Sequence, residues 1–556
     1  MKTKSVPVQG PSIVVGLDYG TTYSSAAFSI GGMIEDIEVL DKWPGGGNRT
    51  SAKVPSVISY EGQKTEWGYH VTAFAEACRG VKLLLDQDRE VEYVPSLVSR
   101  IILQGYGKDP VQATGDYLRY LIQQVHQVLE RRLGIDAAHA DLQFVLTVPA
   151  VWSDKAKDAT LRAAISAGAN PREISLISEP EAAAIYTLRA IQPNSIATND
   201  VFVVCDAGGG TVDLIPYRIL NLEPMLLEEV TEGTGEICGS LLLDGRFEDL
   251  LRRRMGGMKY RRLSEKTREA AITYWQERVK PNFTGKYDDD YADVDYFVLV
   301  AGAADDPDVP IEDGFFQLSS QDVEAIFEPI VAQIERLVAR QVSAVADKND
   351  CVKAILLVGG FGASEYLYHR LQEANPTTTI LQPADAWSAV VSGAVHRGLE
   401  GNKVESRIAR RNYGVKHSTA FQKWLHHDDD PHRYWCPLEE SWKMSGRMKW
   451  YIEKSSKISE NTPIKMDFYC TIRVDDDEGL LIHEKLQFYN EDSAPAVFND
   501  RGRDEALRAG GRPPQGSTGQ EYFKIPFVLT MTPTSASLLF ELEFNGVSYG
   551  SVRSKY

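Results

Sequence analysis

The spacing of apolar and polar residues changes character several times along the 556-residue chain. "SIVVGLD" from Ser12, the turn "YGTT" and the alternating, small-residue stretch "YSSAAFSI" predict strand, turn, strand, and "KVPSVISY" from Lys53 predicts a further strand. From Gly115 the period becomes 3.6: Leu118, Leu121, Ile122, Val125 and Leu129 share one face, and Gly134 is a natural stop. "DLQFVLTVPA" then predicts a strand. "SDKAKDATLRAAISAGA" predicts a helix capped by Ser153 and ending near Gly168. "EISLISEP" predicts a strand ending at Pro180, and "EAAAIYTLRAI" returns to helix. At Val201 the series restarts with strand "DVFVVCD", turn "AGGG" and strand "TVDLIPYRI". A long helix "QDVEAIFEPIVAQIERLVARQVSAV" follows, then strand "CVKAILLVGG", turn "FGAS" and helices "EYLYHRLQEA" and "AWSAVVSGAVHRGLE". Residues 12–200 and 201–399 thus run through a similar order twice, which predicts two related lobes facing each other.

After "EGNKVESRIARRNYGV" helical periodicity fades. "KWYIEKSSKI", "IKMDFYCTIRV", "LLIHEKLQFY", "EYFKIPFVLTM" and "SLLFELEFNGVSYGSV" alternate like strands of a β-sandwich. Glu491 to Gln520 is rich in Gly, Pro, Arg and Asp and predicts a long mobile loop. The expected domains are a first lobe over 1–200, a second over 201–400 and a β-rich domain over 401–556.

Composition narrows the function. A net charge of −18 argues against nucleic acid as the main partner, since that binding is driven by basic surface. The acidic runs "YDDDYADVDY", "HHDDDPH" and "VDDDE" read as solvated loops; "HHDDDPH" lacks the spacing of a metal site. The six cysteines form no C-x-x-C pair, a reduced, intracellular pattern. No run approaches the length of a membrane span, and the N-terminus has no apolar signal region. The expected location is the cytoplasm, or the nucleus, with no membrane partner.

The two glycine turns share a chemical use. Amides of a tight turn form an anion-binding concavity, and glycine lets a phosphate approach the backbone. A carboxylate there cannot hold phosphate but can hold Mg²⁺ through its water shell. Asp18 behind "GLDYGTTYS" and Asp206 behind "CDAGGGTVD" give one acid per lobe, a magnesium–polyphosphate clamp. G-x-x-x-x-G-K-[ST] is absent, and "GGFGASE" is not a full G-x-G-x-x-G, so neither a P-loop nor a Rossmann site is read.

"GLDYGTTYS", "DAGGGTVD" and "LLVGGFGAS" resemble the phosphate-1, phosphate-2 and adenosine motifs of the actin/sugar-kinase/heat-shock ATPase fold. "LTVPAVWSDKAKDATLRAAISAGA" with "ISLISEPEAAAIY" is similar to the connecting segment of the 70-kDa heat-shock chaperones, and "SEPEAAA" and "GGFGAS" resemble the divergent, lidless branch more than the mainstream chaperones. The resemblance spans residues 12–399. It implies an α/β, two-lobed, duplicated ribonuclease H-like ATPase fold and ATP or ADP with Mg²⁺ as cofactors. It implies that Asp18, Gly20, Thr21, Thr22 and Tyr23 hold Mg²⁺ and the β- and γ-phosphates, and that Lys82 contacts the γ-phosphate or the attacking water. Pro149 and Glu179 take the hydrolysis and relay positions. Asp206, Gly208, Gly209, Gly210, Thr211 and Asp213 form the second phosphate loop, with Gly239 beside them, and Asp206 or Thr211 positions water. Catalysis of this kind rests on positioning and electrostatics.

At the nucleoside end the resemblance makes Glu277, Lys280, Thr284, Gly359, Gly360 and Phe361 binding residues. Pro281 and Ala363 replace family arginines, and Phe361 stands at a serine position, where it either stacks on adenine or packs in the core. The acidic-leucine linker is missing, and "KWYIEKSSKIS" and "KLQFYNED" faintly resemble the substrate-binding sandwich. No helical lid follows, so peptide clients are expected to add to an open groove by β-augmentation. Three functions follow: a chaperone-like ATPase whose nucleotide state controls clients and co-chaperones; a nucleotide-binding adaptor with little turnover; and a small-metabolite kinase, against which "SEPEAAA" and the sandwich argue.

Overall fold

The computed structural model describes residues 12–553 apart from 73–74, 89, 92, 135–140, 192–195, 288–294, 304, 306–308, 474–484, 498–521 and 535–536. Most of the expected 491–520 loop and of the acidic runs from Tyr287 and Val474 lies outside the described residues. The chain divides into two compact units, Met1–Val404 and Glu405–Lys555.

In the first unit the apolar strand Ser12–Asp18 is buried from its second residue onward because it lies in mid-sheet. It pairs antiparallel with Tyr23–Ile30 and parallel with Asp141–Val148. A parallel neighbour needs a long crossover, which includes the helix Pro110–Leu133, capped by Asp109 and stopped by Gly134. Ile174–Ser178 extends the sheet in parallel beyond Asp141–Val148. The second half repeats the plan. Val201–Ala207 pairs antiparallel with Val212–Leu222 and parallel with Val352–Val358, and Thr379–Leu381 lies beyond. Each glycine turn therefore leaves the carboxyl end of an equivalent central strand, where ligands of open α/β sheets gather.

Residue 200 marks a repeat rather than a break in packing. Helix Glu179–Ala190 of the first half lies against helix Ala389–Glu400 of the second. Their backbones approach so closely that a Cβ on Gly393 would fall 1.8 Å from the carbonyl oxygen of Ala182. Ala182, Ala183 and Ala184 are fully buried, so the alanines of "SEPEAAA" serve this contact. The surrounding core takes Val14 and Val145 from one sheet and Phe202, Val204 and Ile215 from the other.

Several expected elements shift: the helix expected from Gly115 begins at Pro110, and the strand expected to run to Pro180 ends at Ser178, with Glu179 and Pro180 opening the next helix. "KVPSVISY" breaks into Val54–Pro55 and Val57–Ser59, because Pro55 donates nothing to a ladder and the Ser56 amide turns to the carbonyl of Thr22 at 2.8 Å. The last helix begins at Ala389 rather than Ala386, leaving Trp387 in the turn before it.

The second unit contains two four-stranded antiparallel sheets. One runs Arg433–Cys436, Ser441–Ile452, Asn412–Ala420, Leu486–Tyr489; the other runs Ile464–Arg473, Tyr522–Pro533, Leu538–Phe544, Val547–Arg553. Tyr413, Val415 and Ile452 of the first meet Phe527, Leu529 and Met531 of the second in one buried cluster, which makes a sandwich. Asn545 and Gly546, both at positive φ, supply the turn chemistry of the final hairpin.

Between the paired helices, Arg189 donates to Nδ1 of His396 at 2.6 Å and to Glu400 at 2.6 Å. Arginine only donates, so the His396 Nδ1 accepts and the ring is neutral. Burial, then the Arg189 charge, hold its pKa down at about 4. A depressed histidine favours the folded state above its unfolded pKa, and that contribution is lost as pH falls through the window from about 6.5 to about 4. Chemical denaturation across this window is expected to show a loss of stability in the wild type that is smaller in His396→Gln.

Candidate nucleotide-binding site

The two turns meet. A Cβ on Gly210 would lie 2.6 Å from Oγ1 of Thr21, and one on Gly209 would lie 2.4 Å from Oγ1 of Thr22. The threonines of the first loop thus occupy the space that side chains at Gly209 and Gly210 would need. Gly20 closes its own turn, where a Cβ would meet the Tyr23 carbonyl at 2.1 Å, and Gly208 donates to the Thr211 carbonyl at 2.9 Å. Gly239 supports the second loop from behind: its amide donates to Gly210 at 3.2 Å, and a Cβ would clash with Gly209 at 2.3 Å.

Charged side chains line the floor. Asp18 Oδ1 accepts from the Thr147 hydroxyl at 2.9 Å, and Oδ2 accepts from Lys53 Nζ at 3.3 Å and Ser25 at 3.4 Å. Burial pushes this carboxyl up, but the ammonium groups of Lys53 and Lys82 outweigh it and hold the pKa below the usual value. Lys82 Nζ donates to Glu179 Oε1 at 2.6 Å and lies 5.6 Å from the Trp152 ring centroid. Burial opposes the Lys82 charge, yet Glu179, Asp18 and Asp206 keep it protonated beyond the ordinary lysine value. Glu179, the first residue of its helix with Pro180 next, is pushed up to about 7 by burial, against Lys82 and with the Asp18 and Asp213 charges. Asp206 is driven well above the carboxylate range by burial and by Glu179, Asp213 and Asp18. Asp213 accepts from the Val151 amide at 3.2 Å, next to Pro149 and Ala150.

Asp18, Glu179, Asp206 and Asp213 thus share a buried floor with Lys53 and Lys82, with more carboxyl groups than ammonium groups. Such a site relieves its surplus by keeping a carboxyl protonated or by admitting a cation. Among the described residues no three His, Cys, Asp or Glu side chains form a direct metal-ligand cluster, "HHDDDPH" included. An Mg²⁺ ion carried in on phosphates and held through water fits this donor set.

The chain also matches known proteins. A family profile described as Hsp70 protein covers residues 14–400. The chain belongs to the Hsp70 family. Heat shock 70 kDa protein 12A of Mus musculus is 26% identical over 498 residues, 72% of this chain and 72% of that protein. Heat shock 70 kDa protein 12B of Homo sapiens is 25% identical over 494 residues, 73% and 71%. Chaperone protein HscA homolog of Actinobacillus pleuropneumoniae is 32% identical over 248 residues, 41% of this chain and 35% of that protein. The two-lobed actin-like ATPase fold and a nucleotide-binding role of the Hsp70 kind follow from the family.

The nucleoside end of this Hsp70-family chain differs from the expectation. Phe361 is 4% exposed, with its ring 6.2 Å from Phe327 in the core of the second lobe, so it is the packed-core aromatic and not an adenine platform. Its amide, with that of Gly362, instead anchors the turn to the Ala207 carbonyl at 2.8 and 3.0 Å. Lys280 is held by Asp244 at 2.8 Å, and Asp244 also accepts from Trp275 and Gln276. Glu277 is half exposed, 3.9 Å from Arg49, and the Thr284 hydroxyl is buried. Pro281 and Ala363 are exposed. Sequence reasoning missed Lys53 and Thr147; Lys53 had a signal, a lysine set directly before the strand residues Val54 and Pro55.

Gly359 has φ +89°, and a Cβ there would lie 2.4 Å from Oδ1 of Asp206 and 2.5 Å from the Ala207 carbonyl. Gly359→Ala is expected to destabilise the first unit by about 1–3 kcal/mol and to displace Asp206. Denaturant unfolding checks it; an unchanged midpoint contradicts the placement.

Proposed function

We propose that this chain binds Mg·ATP between its two lobes and hydrolyses it slowly, and that nucleotide state controls its binding of protein or peptide clients. The observation that carries this reading is the buried floor where Lys82–Glu179, Asp18 and Asp206 lie beneath two facing glycine turns. The turn amides and the Thr21, Thr22 and Thr211 hydroxyls would hold phosphate oxygens. Asp18 and Asp206 would order the water shell of Mg²⁺, which neutralises charge on the phosphates when bound. Glu179, near neutrality in its pKa, would accept a proton from water, and Lys82 would hold both Glu179 and the transferred phosphate in place. Client binding would fall to the second unit. Its strand Ile464–Arg473 lies at a sheet edge beside a cavity of about 310 Å³ lined by Asp467, Phe468, Tyr469, Lys524 and Pro526. The cytoplasm is the proposed location, and co-chaperones are proposed partners by analogy with the family.

A second reading, an adaptor that binds nucleotide with little turnover, draws on the changed nucleoside end, where Pro281 and Ala363 stand exposed. Single-turnover hydrolysis of Mg·ATP separates the two. The wild type is expected to release phosphate, and Asp206→Asn and Lys82→Ala to lose roughly 10²-fold or more in rate, the scale of removing one electrostatic positioning group. Binding without cleavage in the wild type selects the adaptor. Release of a phosphorylated metabolite instead of phosphate would mark a kinase and contradict the proposal.

A further inference from the structure

We propose that the indole of Trp387 is the platform on which the nucleobase stacks, and that the site consequently discriminates poorly between purine bases. This rests on the nucleotide-binding reading above and concerns only how the nucleoside end is held.

Trp387 stands where the two lobes meet at the glycine turns. Its ring centroid lies 6.1 Å from that of Tyr23 in the first phosphate loop. Lys53 Nζ, which also contacts Asp18, sits 5.4 Å from its ring centroid. A Cβ on Gly360 would be 3.4 Å from Cζ3 of the indole, so the bare glycine lets the six-membered ring lie beside the turn. The turn carrying Trp387 is fixed: Gly359 donates to the Ala386 carbonyl at 3.3 Å, and Ser388 to Asp385 at 2.9 Å. Yet the residue is 38% exposed, whereas Phe361 in the neighbouring turn is buried. A large aromatic left partly exposed on a hydrogen-bonded turn beside the glycine loops is accessible to a ligand entering there.

The surrounding chemistry favours stacking over edge recognition. Lys280 is committed to Asp244, the Thr284 hydroxyl is buried, Glu277 lies beside Arg49, and Pro281 has no N–H. Lys280, tied to Asp244, and Pro281, with no N–H, are thus poorly placed to donate to a base edge. Stacking on an aromatic ring contributes substantially and reads no edges, because every base has a π-face. Lys53 over the same indole adds a cation–π contact and links the platform to the phosphate floor.

The test is isothermal titration of the full chain with Mg²⁺ and ATP, GTP or inorganic tripolyphosphate, using wild type, Trp387→Ala and Trp387→Phe. ATP and GTP are expected to bind the wild type within about tenfold of each other. Trp387→Ala should weaken both by roughly ten- to a hundredfold, and Trp387→Phe should restore most of the loss. Tripolyphosphate affinity should be the same in all three proteins. Unchanged or tighter ATP binding by Trp387→Ala overturns the inference, as does an equal loss for tripolyphosphate. An ATP preference far beyond tenfold overturns it as well. Failure of the wild type to bind ATP while the fold is intact defeats the nucleotide-binding reading itself, a separate outcome.

Discussion

Burying more carboxylates than cations at the junction of two lobes is costly unless something answers the surplus charge. Asp18, Glu179, Asp206 and Asp213 converge beneath the glycine turns, and Lys53 and Lys82 balance only part of their charge. Removing an ion from water costs several kcal/mol, and a partner restores it only with good geometry. Lys82–Glu179 at 2.6 Å supplies such geometry; among the described residues Asp206, pushed well above its ordinary value by burial, forms no comparable ion pair. A polyphosphate arriving with a divalent ion would bring positive charge to this floor and negative charge to the turn amides above it. The same surplus of buried carboxylates would therefore favour a magnesium nucleotide.

The scaffold makes that convergence possible. Each half sends a buried central strand to a glycine turn, and the close contact of helices Glu179–Ala190 and Ala389–Glu400 ties the halves together behind the cleft. Gly393 against Ala182 leaves no room for slack in this contact.

The first unit was highly legible in the sequence because its signals are local. Val201–Ala207 and Ser12–Asp18 are apolar runs leading into Asp and a glycine turn, and Ser153 and Gly134 punctuate helices by backbone chemistry, whereas the Asp109 cap, which starts its helix at Pro110 instead of Gly115, was not read. What escaped the sequence depends on contacts between distant segments. Lys53 reaches Asp18 across 35 positions, and Thr147 reaches it across 129. Phe361 read equally well as a stacking or a core residue until Phe327 was seen beside it. Trp387 fell inside an apparent helix whose periodicity begins three residues too early, so its half-open position was invisible. In the second unit alternation marked the strands, but it gave no sheet order, since one strand pattern suits many pairings.

The claim that both glycine turns grip one ligand is tested most directly by hydrogen–deuterium exchange of the full chain with and without Mg·ATP. Joint protection of amides in 16–24, 206–213 and 239–241 is the predicted result, because both loops and the Gly239 support would close on the same phosphates. Protection confined to one lobe, or none in either at saturating nucleotide, would contradict the account.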